Sequence, residues 1–178
     1  MGTYRARQIS ATDSAGVFHK QDGARNGKAR DPLSPCERRR APMSIEKMIS
    51  EHPQVGGNYN ASLGLAVKHA VYCSAICNSC ADACLAEAMD MDQCIRTCLD
   101  CSDVCAATSR IAMRRTGSNR ELIRAQLAVC IKACEICEAE CAKHDHAHCR
   151  RCAQMCRECA DDCRRALEDL DREVHEAA

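Results

Sequence analysis

Over residues 1 to 42 apolar positions do not recur at any regular interval, and Arg, Ser, Gly, Asp and Pro dominate. That stretch reads as a disordered N-terminal extension. Met43 opens Met-Ser-Ile-Glu-Lys-Met-Ile, the first segment with helical character, which leaves Met1 and Met43 as alternative translation starts. Four long helical segments follow from Asn58 onward. The first runs from about Asn60 to Ala88. The second starts near Asp90 or Asp92, both good N-cap residues, and ends before Gly117. Ser118-Asn119-Arg120-Glu121 is a capping-box sequence that opens the third, which ends near Lys143. The fourth runs from about Asp145 or His146 into the C-terminal region. Connections this short make successive helices antiparallel, so residues 43 to 178 are expected to form an all-α, up-down-up-down four-helix bundle.

Cysteine occupies the repeating positions. Seventeen of the eighteen cysteines fall into four runs of nearly one spacing, C-x3-C-x2-C-x3-C. They are Cys73, Cys77, Cys80 and Cys84; Cys94, Cys98, Cys101 and Cys105; Cys130, Cys134, Cys137 and Cys141; and Cys152, Cys156, Cys159 and Cys163, preceded by Cys149. Only Cys36 stands outside. At 100° per residue, offsets of 0, 4, 7 and 11 put each run on a stripe roughly 60° wide and about 16 Å long on one helical face.

Cys84 and Cys94 flank the first connection, and Cys141 and Cys149 flank the third. Both connections lie at one end of an up-down bundle, so all four ladders are expected to line a common sulfur tube in one half. The other half carries Leu63, Leu65, Val67, Ile111, Met113, Leu122, Ile123, Leu127, Leu167 and Leu170 as an ordinary apolar core. Met89 and Met91 in the first connection and His144, His146 and His148 in the third would form a thioether and imidazole mouth, grading from weaker to stronger ligands for a soft ion.

Composition narrows the purpose of that interior. One Phe, three Tyr and no Trp leave little aromatic material for a core, so thiols must fill it. Residues 1 to 42 carry nine Lys and Arg against four Asp and Glu, which makes them +5 and the remainder −5. A folded part with that sign does not suit nucleic acid. No apolar run is long enough to span a membrane, and the segment after Arg38 to Arg40 is too charged and proline-broken for an export signal. The chain reads as cytoplasmic, where thiols stay reduced and dense cysteine points to metal.

Same-face thiols with no carboxylate among them suit a soft monovalent ion of low coordination number, and Cu(I) fits best. Each Cu⁺ replaces one proton, so a core with one ion per sulfur stays neutral, whereas a zinc tetrathiolate buries two negative charges. A tube of bridging thiolates is expected to take many ions, roughly 15 to 20 per chain. A zinc-thiolate buffer or sensor is the alternative and needs tetrahedral foursomes built across helices. An iron-sulfur electron carrier is a weaker one, because such clusters favour loop cysteines. Redox catalysis would need an exposed pair, and thiols stacked along one helix are poorly oriented for disulfides. Blander readings exist for individual residues: buried cysteine as a small hydrophobe, the histidines as a solvated turn, Met89 and Met91 as helix-end packing, and Cys36 as a free thiol. Asp100, Asp103, Arg157 and Arg164 read as solvated faces. With no catalytic set in view, the chain is expected to bind metal stoichiometrically and not to be an enzyme.

The four runs, together with His144-Asp145-His146-Ala147-His148-Cys149-Arg150-Arg151-Cys152, resemble the cytosolic branch of the bacterial copper storage proteins. The resemblance covers about residues 44 to 165. It implies a four-helix bundle holding many Cu(I) ions along its core, storage as the function, and a homotetramer as the assembly. A small thiol carrier, glutathione or a copper chaperone would be the donor. The first 42 residues depart from the pattern, and Cys36 inherits no role.

Overall fold

The computed structural model describes residues 44–53, 55, 59–114 and 119–176. The expected extension 1–42, Cys36, Met43, Gly117 and Ser118 lie outside the described residues. Among the described residues there are five helices: α1 (Ile45–Ser50), α2 (Ala61–Cys84), α3 (Asp92–Met113), α4 (Arg120–Cys141) and α5 (Ala147–Glu176). Ser44 caps α1 by accepting from the Lys47 amide at 3.0 Å, and Asn60 caps α2 by accepting from the Leu63 amide at 2.8 Å. The start of α3 differs from expectation. Met91 is its N-cap, Asp92 is already helical, and Asp90 accepts from the Asp92 amide at 3.0 Å. Asn119 is the N-cap of α4, so the expected Ser118 cap falls outside the described residues.

α2 neighbours α3 and α5, and α4 neighbours the same two, which is the ring order of an antiparallel up-down-up-down bundle. α1 packs against α2 and buries Ile49. Spacing alone aligns the seam. On α4 the buried positions run Ile123, Leu127, Cys130, Cys134, Cys137 and Cys141, alternating steps of four and three. This is the a/d heptad rhythm of a bundle core, so the side chains that hold the helices together in this half are thiols. Every cysteine of the four runs, and Cys149, is buried.

Beyond the thiols, the seam continues into Leu63, Val67, Ile123, Leu127 and Leu170, all buried, with Leu65, Ile111, Met113 and Leu167 partly covered. Leu122 is the exception, at 55% exposed. It sits one residue, or 100°, from the inward Ile123, and its outer face is shared by Val129 and Ile136.

Polar contacts tie this plug end. Asn60 donates to Glu173 at 2.9 Å, Arg120 pairs with Glu173 at 3.0 Å, and Ser62 donates to Asp169. Asp162 on α5 is the one buried charged residue among the described residues, at 2% exposed. His69 on α2 meets one of its carboxylate oxygens and Arg165 the other. A buried carboxylate needs both partners, because an unpaired one carries the full desolvation cost. Among the described residues no helix is long and apolar enough to cross a membrane.

Asp162→Ala leaves His69 and Arg165 without their shared acceptor and should lower the stability of the reduced, metal-free protein by about 1–3 kcal/mol. Urea unfolding followed by circular dichroism measures this. An unchanged midpoint would show that the pair contributes nothing.

Candidate metal centre

The four ladders meet on the bundle axis. Sulfurs approach across both diagonals: Cys73 and Cys134 at 3.9 Å, Cys77 and Cys137 at 3.9 Å, Cys98 and Cys152 at 3.9 Å, Cys101 and Cys156 at 4.0 Å. Neighbouring helices come as close. Cys84 and Cys94 are 3.7 Å apart, Cys98 and Cys141 3.5 Å, Cys77 and Cys156 3.6 Å, and Cys105 and Cys134 3.6 Å. A metal with bonds of about 2.3 Å to sulfur sets S···S edges of about 3.8 Å when tetrahedral and about 4.0 Å when trigonal. The tube matches those edges without rearrangement.

Foursomes of sulfur lie within 4.8 Å of one another, among them Cys73, Cys105, Cys134 and Cys159; Cys73, Cys77, Cys101 and Cys156; Cys77, Cys137, Cys152 and Cys156; Cys80, Cys84, Cys94 and Cys149; and Cys80, Cys94, Cys98 and Cys141. These sets overlap. Cys73, Cys77, Cys80, Cys94 and Cys156 each belong to two of them. Isolated four-sulfur sites cannot all be filled at once, whereas bridging thiolates use every shared sulfur. At the inner end Cys130 lies 3.7 Å from Cys105, and the contact with Cys130, then burial, push Cys163 well above the ordinary thiol range against an opposing contact with Cys159.

The soft residues at the connections separate into two groups. His146 and His148 stack with ring centroids 5.4 Å apart against the same oxygen of Glu87, which His148 hydrogen-bonds at 3.0 Å and His146 approaches at 3.1 Å. Met89, 55% exposed, places its sulfur 3.3 Å from His146 Nε2. His148 Nδ1 reaches inward to the sulfurs of Cys80 and Cys149, each at 3.4 Å. His144 belongs elsewhere. It lines a separate 270 Å³ hollow with Met91, Cys94 and Glu140, and its Nε2 is 3.5 Å from Glu140 Oε1 without a hydrogen bond. Met91 is buried there, at 3% exposed. The mouth expected as one rim is therefore two: one of His146, His148 and Met89 between the ends of α2 and α5, the other of His144 and Met91 between α3 and α4.

Glu87 and Glu140 were not singled out from the sequence. A carboxylate that accepts from an imidazole N–H fixes which ring nitrogen faces the metal. Glu87 does this for His148 and lies within 3.1 Å of the His146 ring. The cue was available in Glu87 lying two residues before Met89, opposite the His-x-His run, but carboxylates near helix ends are common.

Electrostatics distinguish the outermost thiols. A hydrogen bond from Cys141, opposed by Cys152 and supported by Cys98 and His148, holds Cys80 down at about 6. Burial, then the contact with Cys94, pushes Cys84 up to about 12. Burial also pushes Cys149 up. The contact with Cys80, then that with Glu87, raises His148 above the ordinary imidazole range. At neutral pH Cys80 is held as the thiolate, while Cys84 and Cys149 stay protonated. Below about pH 6 it is a thiol.

Limiting iodoacetamide added to reduced, metal-free protein should alkylate Cys80 first, about ten times faster at pH 7 than at pH 5. Peptide mapping by mass spectrometry reads the sites. Uniform labelling of all thiols, or no loss of rate at pH 5, would contradict the assignment.

The match to the copper storage protein family covers residues 59–168. The chain is 35% identical over 90 residues to the uncharacterized cysteine-rich protein YhjQ of Bacillus subtilis, covering 49% of this chain and 80% of that protein. The solved structure of the copper storage protein Ccsp from Streptomyces lividans, loaded with 10 copper equivalents, superimposes with a TM-score of 0.67 at 37% identity, covering 70% of this chain and 98% of that one. A cytosolic copper storage protein from Streptomyces lividans with five coppers gives a TM-score of 0.59 at 40% identity, covering 60% of this chain and 92% of that one. With a sulfur tube of this geometry and a match spanning more than half its length, the chain belongs to the copper storage protein family.

Proposed function

We propose that residues 43–178 form a domain that stores copper as Cu(I) in the cytoplasm, with the seventeen thiols from Cys73 to Cys163 as ligands and residues 1–42 as a disordered extension. One observation carries this reading: seventeen buried, unbridged thiols, most of them joined by sulfur contacts of 3.5 to 4.0 Å, in overlapping groups. Overlap favours bridging thiolates and about one ion per sulfur. Four-thiolate zinc sites would each bury a charge of −2, and no Lys or Arg is buried among the described residues to offset it. The role is stoichiometric and not catalytic. A small thiol or a copper chaperone supplies the metal, which enters past His146, His148 and Met89, or past His144 and Met91, and moves inward by exchange between neighbouring sulfurs. The half-exposed row of Leu122, Val129 and Ile136, at heptad spacing on α4, supports assembly into a homotetramer by covering one chain with another.

Titrated anaerobically with Cu(I) and passed through gel filtration against a competing chelator, the reduced protein should retain roughly 15 to 20 ions per chain. Retention of a few ions, or of zinc at about one per four sulfurs, would favour a zinc buffer or sensor.

Replacing His146 and His148 together by Ala should slow uptake by about tenfold at unchanged capacity, since Glu87 then has no imidazole to orient. Stopped-flow loading reads the rate and metal analysis the capacity. Lost capacity would show that these rings anchor core metal.

A further inference from the structure

A groove of 350 Å³ opens on the side of the bundle between α2 and α5 and reaches His148 at the open end. Cys80 and His148 line its inner part, Met155 its wall, and Ser79, Arg151 and Glu158 its rim. Its volume is within the range of about 300–1,000 Å³ found for small-molecule sites. Two features give it a chemical preference. Arg151 is exposed and makes no hydrogen bond or ion pair among the described residues, although most arginines of α5 are paired. Glu158 accepts from Gln154 at 2.9 Å through one carboxylate oxygen, and no bond engages the other. Arg151 and Glu158 are seven residues apart on one face of α5, a rise of about 10 Å. The buried thioether of Met155 lies between them along α5, and the Cys80 thiol lies at the Arg151 end, beside His148.

We propose that this groove is the docking site for the copper donor, a peptide thiol with a carboxylate at one end and an ammonium group at the other. Arg151 holds the carboxylate in a charge-assisted pair, Glu158 holds the ammonium, and the sulfur between them presents Cu(I) to Cys80. In the transfer, the bond from copper to the donor sulfur breaks and one from copper to Cys80 Sγ forms. Cys80 enters as the thiolate, so the departing donor leaves as its own thiolate and takes its proton from solvent. Copper stays Cu(I) throughout. The inference rests on the storage reading, and it adds a lateral route to the end-on mouth.

The test compares two donors on one variant. Loading is followed by stopped flow from the Cu(I) complex of glutathione and from that of 2-mercaptoethanol, which has neither charged group. Arg151→Ala should slow loading from glutathione about three- to tenfold and raise its half-saturation concentration, while loading from 2-mercaptoethanol is unaffected. Arg151→Lys should recover part of the rate, and Arg110→Ala, on the exposed face near the far end of α3, should change neither donor. An equal rate from glutathione in Arg151→Ala, or equal slowing with both donors, would overturn the groove. Final copper content is measured in the same run. A protein that loads fully at an unaltered rate refutes the docking site alone, whereas wild-type protein that retains no copper refutes storage itself.

Discussion

Everything in this molecule depends on one coincidence of spacing: the residues that must face inward to hold four helices together are residues able to bind metal. Steps of four and three along each helix keep a narrow seam on the bundle axis. Cysteine at those steps serves as a small hydrophobe while protonated and as a ligand when its proton leaves. The metal-free interior is thus a tolerable apolar core, closed at the far end by Leu63, Val67, Ile123, Leu127 and Leu170. No buried cation among the described residues balances ionised sulfurs, so charge must come from the cargo.

The same geometry explains why the interior acts as one site. Sulfurs reach across both diagonals and to both neighbours at nearly equal distances, so no group of four stands apart. An ion moving between adjacent groups keeps part of its ligand set at each step, which lowers the barrier to passage inward. At the open end the chemistry is graded: exposed thioether at Met89, two imidazoles against Glu87, then the Cys80 sulfur. The polar Asp162 cluster lies on the wall between α2 and α5, where it joins two helices without placing a charge on the axis.

Much of this was legible in the sequence because it follows from periodicity. The four long helices, their antiparallel order, the alignment of the ladders at one end and the apolar plug at the other all come from counting residues. The failures lie where periodicity does not speak. Leu122 looks like core in a list of leucines, yet it is one position off a seam set by Ile123 and Leu127. Met91 reads as a residue of the connection but is the buried N-cap of α3, because the cap falls between the two aspartates. His144 separates from His146 and His148 because α4 ends at Cys141 and α5 begins at Ala147, leaving the three rings on different sides of the turn. Glu87 and Asp162 act through partners 59 to 61 and 93 residues away in the chain, and no local pattern carries such a pairing.

Diffraction at the copper absorption edge from crystals of the fully loaded protein tests the central claim most directly, since it locates each ion against the sulfurs. A continuous tube requires copper along its whole length, from the level of Cys84 and Cys94 to that of Cys130 and Cys163, with sulfurs shared between ions. Copper confined to the rim of His146 and Met89, or held in separate four-sulfur sites with none in common, would contradict it.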